Sequence, residues 1–145
     1  MPLAHAAVTD APLDLGRLSA VVGSTQHGAV ATFVGVVRDH DPEADGEVVA
    51  LDYSAHPEAP QILERVVRDV LARYDHDDAA TVAAAHRTGH LAVGDLALVV
   101  CVGSAHRALA FDVCREVVEE IKRELPVWKK QHQADGAHVW SGLTC

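Results

Sequence analysis

Cysteine, basic charge and long apolar runs are all in short supply in this chain. Three cysteines at wide spacings, Cys101, Cys114 and Cys145, are odd in number and provide neither a disulfide framework nor a CxxC knuckle for zinc. No apolar run approaches the roughly 20 residues that cross a bilayer. The opening MPLAHAAVTD lacks the basic start and apolar stretch of a signal peptide, so a cytoplasmic location is expected. Twelve Lys and Arg against 21 Asp and Glu leave a net charge of −9, which argues against nucleic acid as a general partner. What is present is ordinary globular material: 145 residues, 49% hydrophobic and 23% charged. That length predicts a single domain spanning residues 1–145.

Periodicity predicts α+β elements with a largely antiparallel sheet, flanking helices and a terminal β-hairpin. Leu13 to Val22 reads as a short helix with Asp10 as its cap. Gly28 to Arg38 and Val48 to Ser54 read as strands, separated by the acidic stretch DHDPEADGE, which has the composition of an exposed loop. Pro57 suits the first turn of a helix whose stripe is Ile62, Leu63, Val66, Val67, Val70 and Leu71, ending near Tyr74. Thr81 to His86 is a strand, Gly89, Gly94 and Asp95 supply turns, and Leu96 to Val102 is a continuous apolar run suited to a central strand. Ser104 can cap the next helix, which buries Leu109, Ala110, Val113, Cys114, Val117, Val118 and Ile121 and stops before Pro126. The segments PVWKKQHQ and AHVW flank Asp135-Gly136 as a hairpin.

In so acidic a chain the placement of cations carries information. Arg38 ends a strand, His106-Arg107 opens a helix, Lys122 closes it, and Lys129-Lys130 follows a Pro-Val-Trp corner. A helix start offers free N–H groups and the positive end of its dipole, and Arg107 adds a forked donor, which together suit an anion. The competing reading is a surface pair of Arg107 with Asp112 or Glu116. Lys122 can equally serve the helix dipole, and Lys129-Lys130 a solvated hairpin face. Trp128 is placed to desolvate a neighbouring lysine and favour acid/base work. His86 and His90 are four apart, but the turn at Gly89 spoils a helical pair. HExxH, clustered carboxylates and Gly-rich phosphate loops are absent, so no metal or other cofactor is expected. Cys101 and Cys114 fall on apolar positions as small buried thiols.

Five blocks in order carry a resemblance: FVGVVR from Phe33, LDYSAHP from Leu51, HRTGHLAVGD from His86, SAHRALAFD from Ser104 and IKRELPVWKK from Ile121. Together they resemble the large, catalytic subunit of molybdopterin synthase, from about Gly28 to Trp140. The resemblance implies an α/β hammerhead fold and a sulfurtransferase. Its substrate would be cyclic pyranopterin monophosphate (precursor Z), in which it forms the dithiolene of the molybdenum cofactor. The sulfur donor would be the C-terminal thiocarboxylate of a small ubiquitin-like subunit, in a heterotetramer of one homodimer and two small subunits. Lys122 and Lys129 would be catalytic. Val36, Val37, Arg38, His106, Arg107, Lys130 and Gln131 would hold substrate. The chain departs from many relatives at Ser54 and Gln131, where they carry glutamate, and from some at Val36, where they carry lysine. The non-catalytic reading is a module that binds a ubiquitin-like tail or a phosphorylated metabolite without turnover.

Arg107 and Lys122 sit fifteen residues apart on one expected helix, roughly 22 Å at 1.5 Å per residue. A small-molecule pocket cannot touch both from one chain. The expectation is therefore a site shared across a dimer.

Overall fold

The computed structural model of the chain describes residues 3–141, so Cys145 lies outside it. Eleven elements follow in the order β1 (Leu3–Thr9), α1 (Leu15–Val21), β2 (Ala29–Val36), β3 (Val48–Ala55), α2 (Ala59–Tyr74), β4 (Ala80–Arg87), β5 (Gly89–Ala92), β6 (Leu96–Ser104), α3 (Arg107–Glu124), β7 (Val127–Gln133) and β8 (His138–Ser141). The strands form two four-stranded sheets, ordered β1-β4-β6-β2 and β5-β3-β7-β8. Every pairing is antiparallel except β1 with β4. The α+β, largely antiparallel expectation holds, with the sheet divided in two and β7–β8 as the terminal hairpin.

Burial on both faces explains the unbroken apolar run in β6. Leu98, Val100 and Val102 join Val82 and Ala84 of β4 beneath α2 and α3. The intervening Val99 and Cys101, with Ala83 and Ala85, face Leu18 and Val22 at α1. Strand periodicity thus sends alternate residues into two different cores. The α2 stripe Leu63, Val66, Val67, Val70 and Leu71 is buried, as is the α3 stripe from Ala110 to Ile121, with Ile62 and Leu109 at the margins. Each fully buried Val or Leu contributes roughly 1.5–3 kcal/mol. A third cluster, Val37, Val48, Leu51, Tyr53, Leu91 and Ala97, sits against the second sheet. Among the described residues no helix is long and apolar enough to cross a membrane.

Three helix starts differ from expectation. The α1 cap is Asp14, whose carboxylate accepts the Arg17 N–H at 3.1 Å, because Asp10 is too far upstream of a helix that begins at Leu15. At α2 the proline in the first turn is Pro60, not Pro57. Ser104 is buried as the last residue of β6, and His106 occupies the cap position of α3 without a side-chain cap bond. Gly103 immediately precedes Ser104 in β6. A Cβ there would lie 2.1 Å from the Val22 carbonyl oxygen and 2.7 Å from His27 Nδ1, so only glycine admits the α1 end against the strand.

Candidate active site

Several chain segments converge on a cavity of about 350 Å³ between the two sheets. The first is the end of β2. Its pairing with β6 shifts between Gly35 and Val36, after which Val37 N–H donates to the Asp95 carbonyl at 3.0 Å and the Val37 carbonyl accepts from Gly94 N–H at 2.8 Å. This carries Val36, Val37, Arg38, His40 and Asp41 over the cavity rim. The last turn of α3 supplies Ile121 and Lys122. The paired strands β3 and β7 supply the wall, with Tyr53 opposite Lys129 and Leu51 opposite Gln131. His86 at the end of β4 closes the floor.

Six of the expected site residues therefore line one cavity: Val36, Val37, Arg38, Lys122, Lys129 and Gln131. Three do not. His106 and Arg107 are exposed at the start of α3, at the far end from Lys122. Lys130 was expected to share the pocket with Gln131, but adjacent strand residues point to opposite faces. Lys130 lies on the outer face, its ammonium 5.7 Å from the centroid of the Trp140 ring. The same alternation turns Trp128 away from Lys129, so Trp128 is not what shields that lysine. Shielding comes from the cavity itself, since the Lys129 side chain is only 16% exposed.

Asp41 is the feature that the residue pattern did not reveal. Lys129 Nζ donates to its Oδ2 at 3.1 Å, and the Asp41 side chain is only 12% exposed. Burial by itself pushes the Asp41 carboxyl up. The Glu43 amide, Lys129 and Gln131 outweigh it and hold the group below its ordinary value. An acidic side chain from a segment that reads as exposed loop is thus a structural counter-ion of the cavity. Nothing local distinguishes Asp41 from the acids around it. Gln131, also buried, donates from Nε2 to Ser141 Oγ at 2.9 Å, tying β7 to β8.

His86 is the second unforeseen member. It is 2% exposed, donates Nδ1–H to the Arg87 carbonyl in the tautomer that bond requires (2.8 Å), and meets the Tyr53 ring edge-on at 5.0 Å. Burial, with a smaller contribution from the nearby charge of Lys122, outweighs the Arg87 hydrogen bond and brings its pKa down to about 4. At neutral pH it is an uncharged imidazole beside a cation. Its unfolded-state pKa is near 6.5, so between pH 6.5 and 4 the unfolded chain binds a proton that the folded chain refuses. Stability should fall as pH drops through that window, by about 3 kcal/mol from this group. Urea unfolding at pH 7 and pH 4 checks it. The wild-type chain should lose about 3 kcal/mol more than His86→Gln, which has no proton to take up.

Chemically the cavity offers two lysines and an arginine of fixed positive charge, one internal carboxylate, and a neutral histidine with a tyrosine. It is suited to holding anions and to stabilising negative charge that develops during acyl chemistry.

A family model described as MoaE protein matches residues 8–124 of the chain. The molybdopterin synthase catalytic subunit 1 of Mycobacterium tuberculosis is 38% identical over 135 residues, covering 93% of this chain and 88% of that protein. Among solved structures, molybdopterin synthase from Staphylococcus aureus superposes with a TM-score of 0.83 at 26% identity, over 95% of this chain and 96% of that one. A chain from a Helicobacter pylori complex of subunits 1 and 2 of molybdopterin-converting factor shares the fold, with a TM-score of 0.70 at 17% identity over 97% and 90%.

Proposed function

This chain belongs to the MoaE family of molybdopterin synthase catalytic subunits, and from that membership we propose that the cavity between its two sheets is where the sulfur transfer takes place. The donor is the C-terminal thiocarboxylate of a small ubiquitin-like subunit, and the acceptor is cyclic pyranopterin monophosphate. The observation that carries the reading is the convergence of Arg38, Lys122 and Lys129, remote in sequence, on one partly enclosed cavity. Every species in the reaction is anionic at its business end: the substrate phosphate, the thiocarboxylate, and the oxyanion formed when its acyl carbon is attacked. Fixed cations in a partly enclosed cavity stabilise that developing charge without reorganising.

In this reading Lys122 and Lys129 act on the reacting groups, and Arg38 with the Val36 and Val37 backbone positions the pterin. Gln131 acts through the cavity wall. His106 and Arg107 bind the phosphate from the second protomer of a homodimer, because the length of α3 keeps them from the cavity of their own chain. Lys130, on the outer face, is left a role at the edge of the assembly rather than in the cavity. The small-subunit partner is supported by the Helicobacter pylori complex; a heterotetramer with one small subunit per cavity follows from the symmetry of a dimer. The buried free thiols of Cys101 and Cys114 suit a reducing cytoplasm, and residues 1–145 act as one domain.

Reconstitution tests the proposal. The purified chain, a thiocarboxylated small subunit and pyranopterin monophosphate should together yield dithiolene product, and omission of the thiocarboxylate should abolish it. Product without the donor would point to another transferase. A non-catalytic module would tolerate Lys122→Arg and Lys129→Arg, which keep the charge. A lysine that moves a proton would not, since arginine stays protonated.

A further inference from the structure

The outer face of the second sheet carries a cluster that local spacing does not reveal. Asp52 of β3 pairs directly across from His90 of β5; on its other side it pairs with Lys130 of β7, and His132 lies two residues beyond Lys130 on the same face of that strand. Because Leu51, Tyr53 and Gln131 face the cavity, strand alternation turns Asp52 and His132 outward. His90 Nδ1 donates to Asp52 Oδ1 at 2.8 Å and His132 Nε2 to Oδ2 at 2.5 Å, with all three ligand atoms within 4.8 Å of one another. Directly opposite His132 on β8 stands His138, exposed.

We propose that Asp52, His90 and His132 form a binding site for a divalent transition ion of the zinc class, on the face of the sheet opposite the catalytic cavity. Two N–H groups converging on one carboxylate mark the place where a divalent cation can stand in for two protons. Each imidazole moves its proton to its other ring nitrogen and stays neutral, so the ion gains two nitrogen ligands and one carboxylate. Zinc accepts this set at about 2.0–2.2 Å and leaves its fourth position to water. Tetrahedral ligation places ligand atoms about 3.3 Å apart; the two histidine–carboxylate contacts open by less than about 1 Å to reach that spacing, and the three ligand atoms already lie within 4.8 Å of one another. The donor set excludes magnesium, which demands oxygen. Asp52 and His132 are partly exposed and His90 more so, which gives the ion a way in. The one ammonium on this face, Lys130, leans toward the Trp140 ring. A spacing search misses the site because its members are 38 and 80 residues apart. Once bound, the ion pins β5, β3 and β7 together behind the wall that carries Tyr53, Lys129 and Gln131.

Calorimetric titration of the tag-free, chelator-stripped chain with zinc chloride tests this. One ion per chain is expected, with at least tenfold weaker binding in Asp52→Asn, His90→Gln and His132→Gln and unchanged binding in His76→Gln, whose side chain is exposed elsewhere. Magnesium chloride should give no heat of binding. The unfolding temperature should rise with zinc in the wild-type chain and not in His90→Gln. His90 is exposed, so its substitution does not threaten the fold and decides the matter. Equal zinc affinity in His90→Gln and the wild-type chain, or no zinc binding at all, overturns the proposal.

Discussion

Lys129→Ala is expected to lower single-turnover dithiolene formation by at least about 100-fold, the loss typical when a group that stabilises a developing oxyanion is removed. The same substitution should destabilise the fold, and the reason is Asp41. Its carboxylate is almost enclosed, and Lys129 is the cation that answers it at 3.1 Å. Removing one partner of an enclosed pair leaves the other desolvated and uncompensated; with some solvent still reaching the pair, about 2 kcal/mol is a fair expectation. The cavity also changes character, since Asp41 then confronts incoming anions unmasked. Asp41→Asn combined with Lys129→Ala separates the two effects. The double variant should recover most of the thermal stability while remaining as slow as Lys129→Ala. If it recovers the rate as well, Lys129 serves only to neutralise Asp41, and its catalytic assignment is wrong. Asp41→Asn alone should keep the fold and shift KM more than kcat, because it frees the ammonium without removing it.

What makes Asp41 decisive is also what hides it. A strand or helix announces its buried face by period, and α2, α3 and β6 are plain in the sequence for that reason. Asp41 belongs to an irregular acidic stretch, and the cation that pairs with it comes from a residue far along the chain. His86 was legible as a strand residue, but its enclosure depends on Tyr53 of another sheet. The strands that escaped notice follow the same logic. LAHAAVT in β1 is rich in alanine and half exposed, and it is held by a parallel partner some 80 residues away. GHLA in β5 is four residues long and begins at a glycine with positive φ, so it reads as turn. Of the lysines and arginines in the ordered motifs, Arg38, Lys122 and Lys129 line one cavity, and Arg107 and Lys130 do not. The motifs could not say which neighbours share a face, and strand alternation then separated Lys130 from Gln131 and Trp128 from Lys129.

A chain carrying Lys122→Ala and a chain carrying Arg107→Ala should each be nearly inactive alone, and their mixture should regain activity. The ground for this is the rigidity of α3, which runs unbroken from Arg107 to Glu124. Its rise of 1.5 Å per residue sets the two side chains roughly 22 Å apart along the axis, beyond the reach of one small substrate. Lys122 lines the cavity and Arg107 does not. In a twofold dimer each complete site therefore draws its lysine from one protomer and its arginine from the other. Random exchange makes half of the dimers mixed. Each mixed dimer holds one site with both residues intact and one with neither, so recovery should approach about one quarter of wild-type turnover. The measurement is dithiolene formation after co-refolding at equal concentrations, with each variant refolded alone as the baseline. Arg107→Ala with full activity by itself would remove the phosphate role. An inactive pair with no recovery, once mass spectrometry has verified mixed dimers, would place both residues in the service of a single chain and force α3 to bend or the substrate to bind elsewhere.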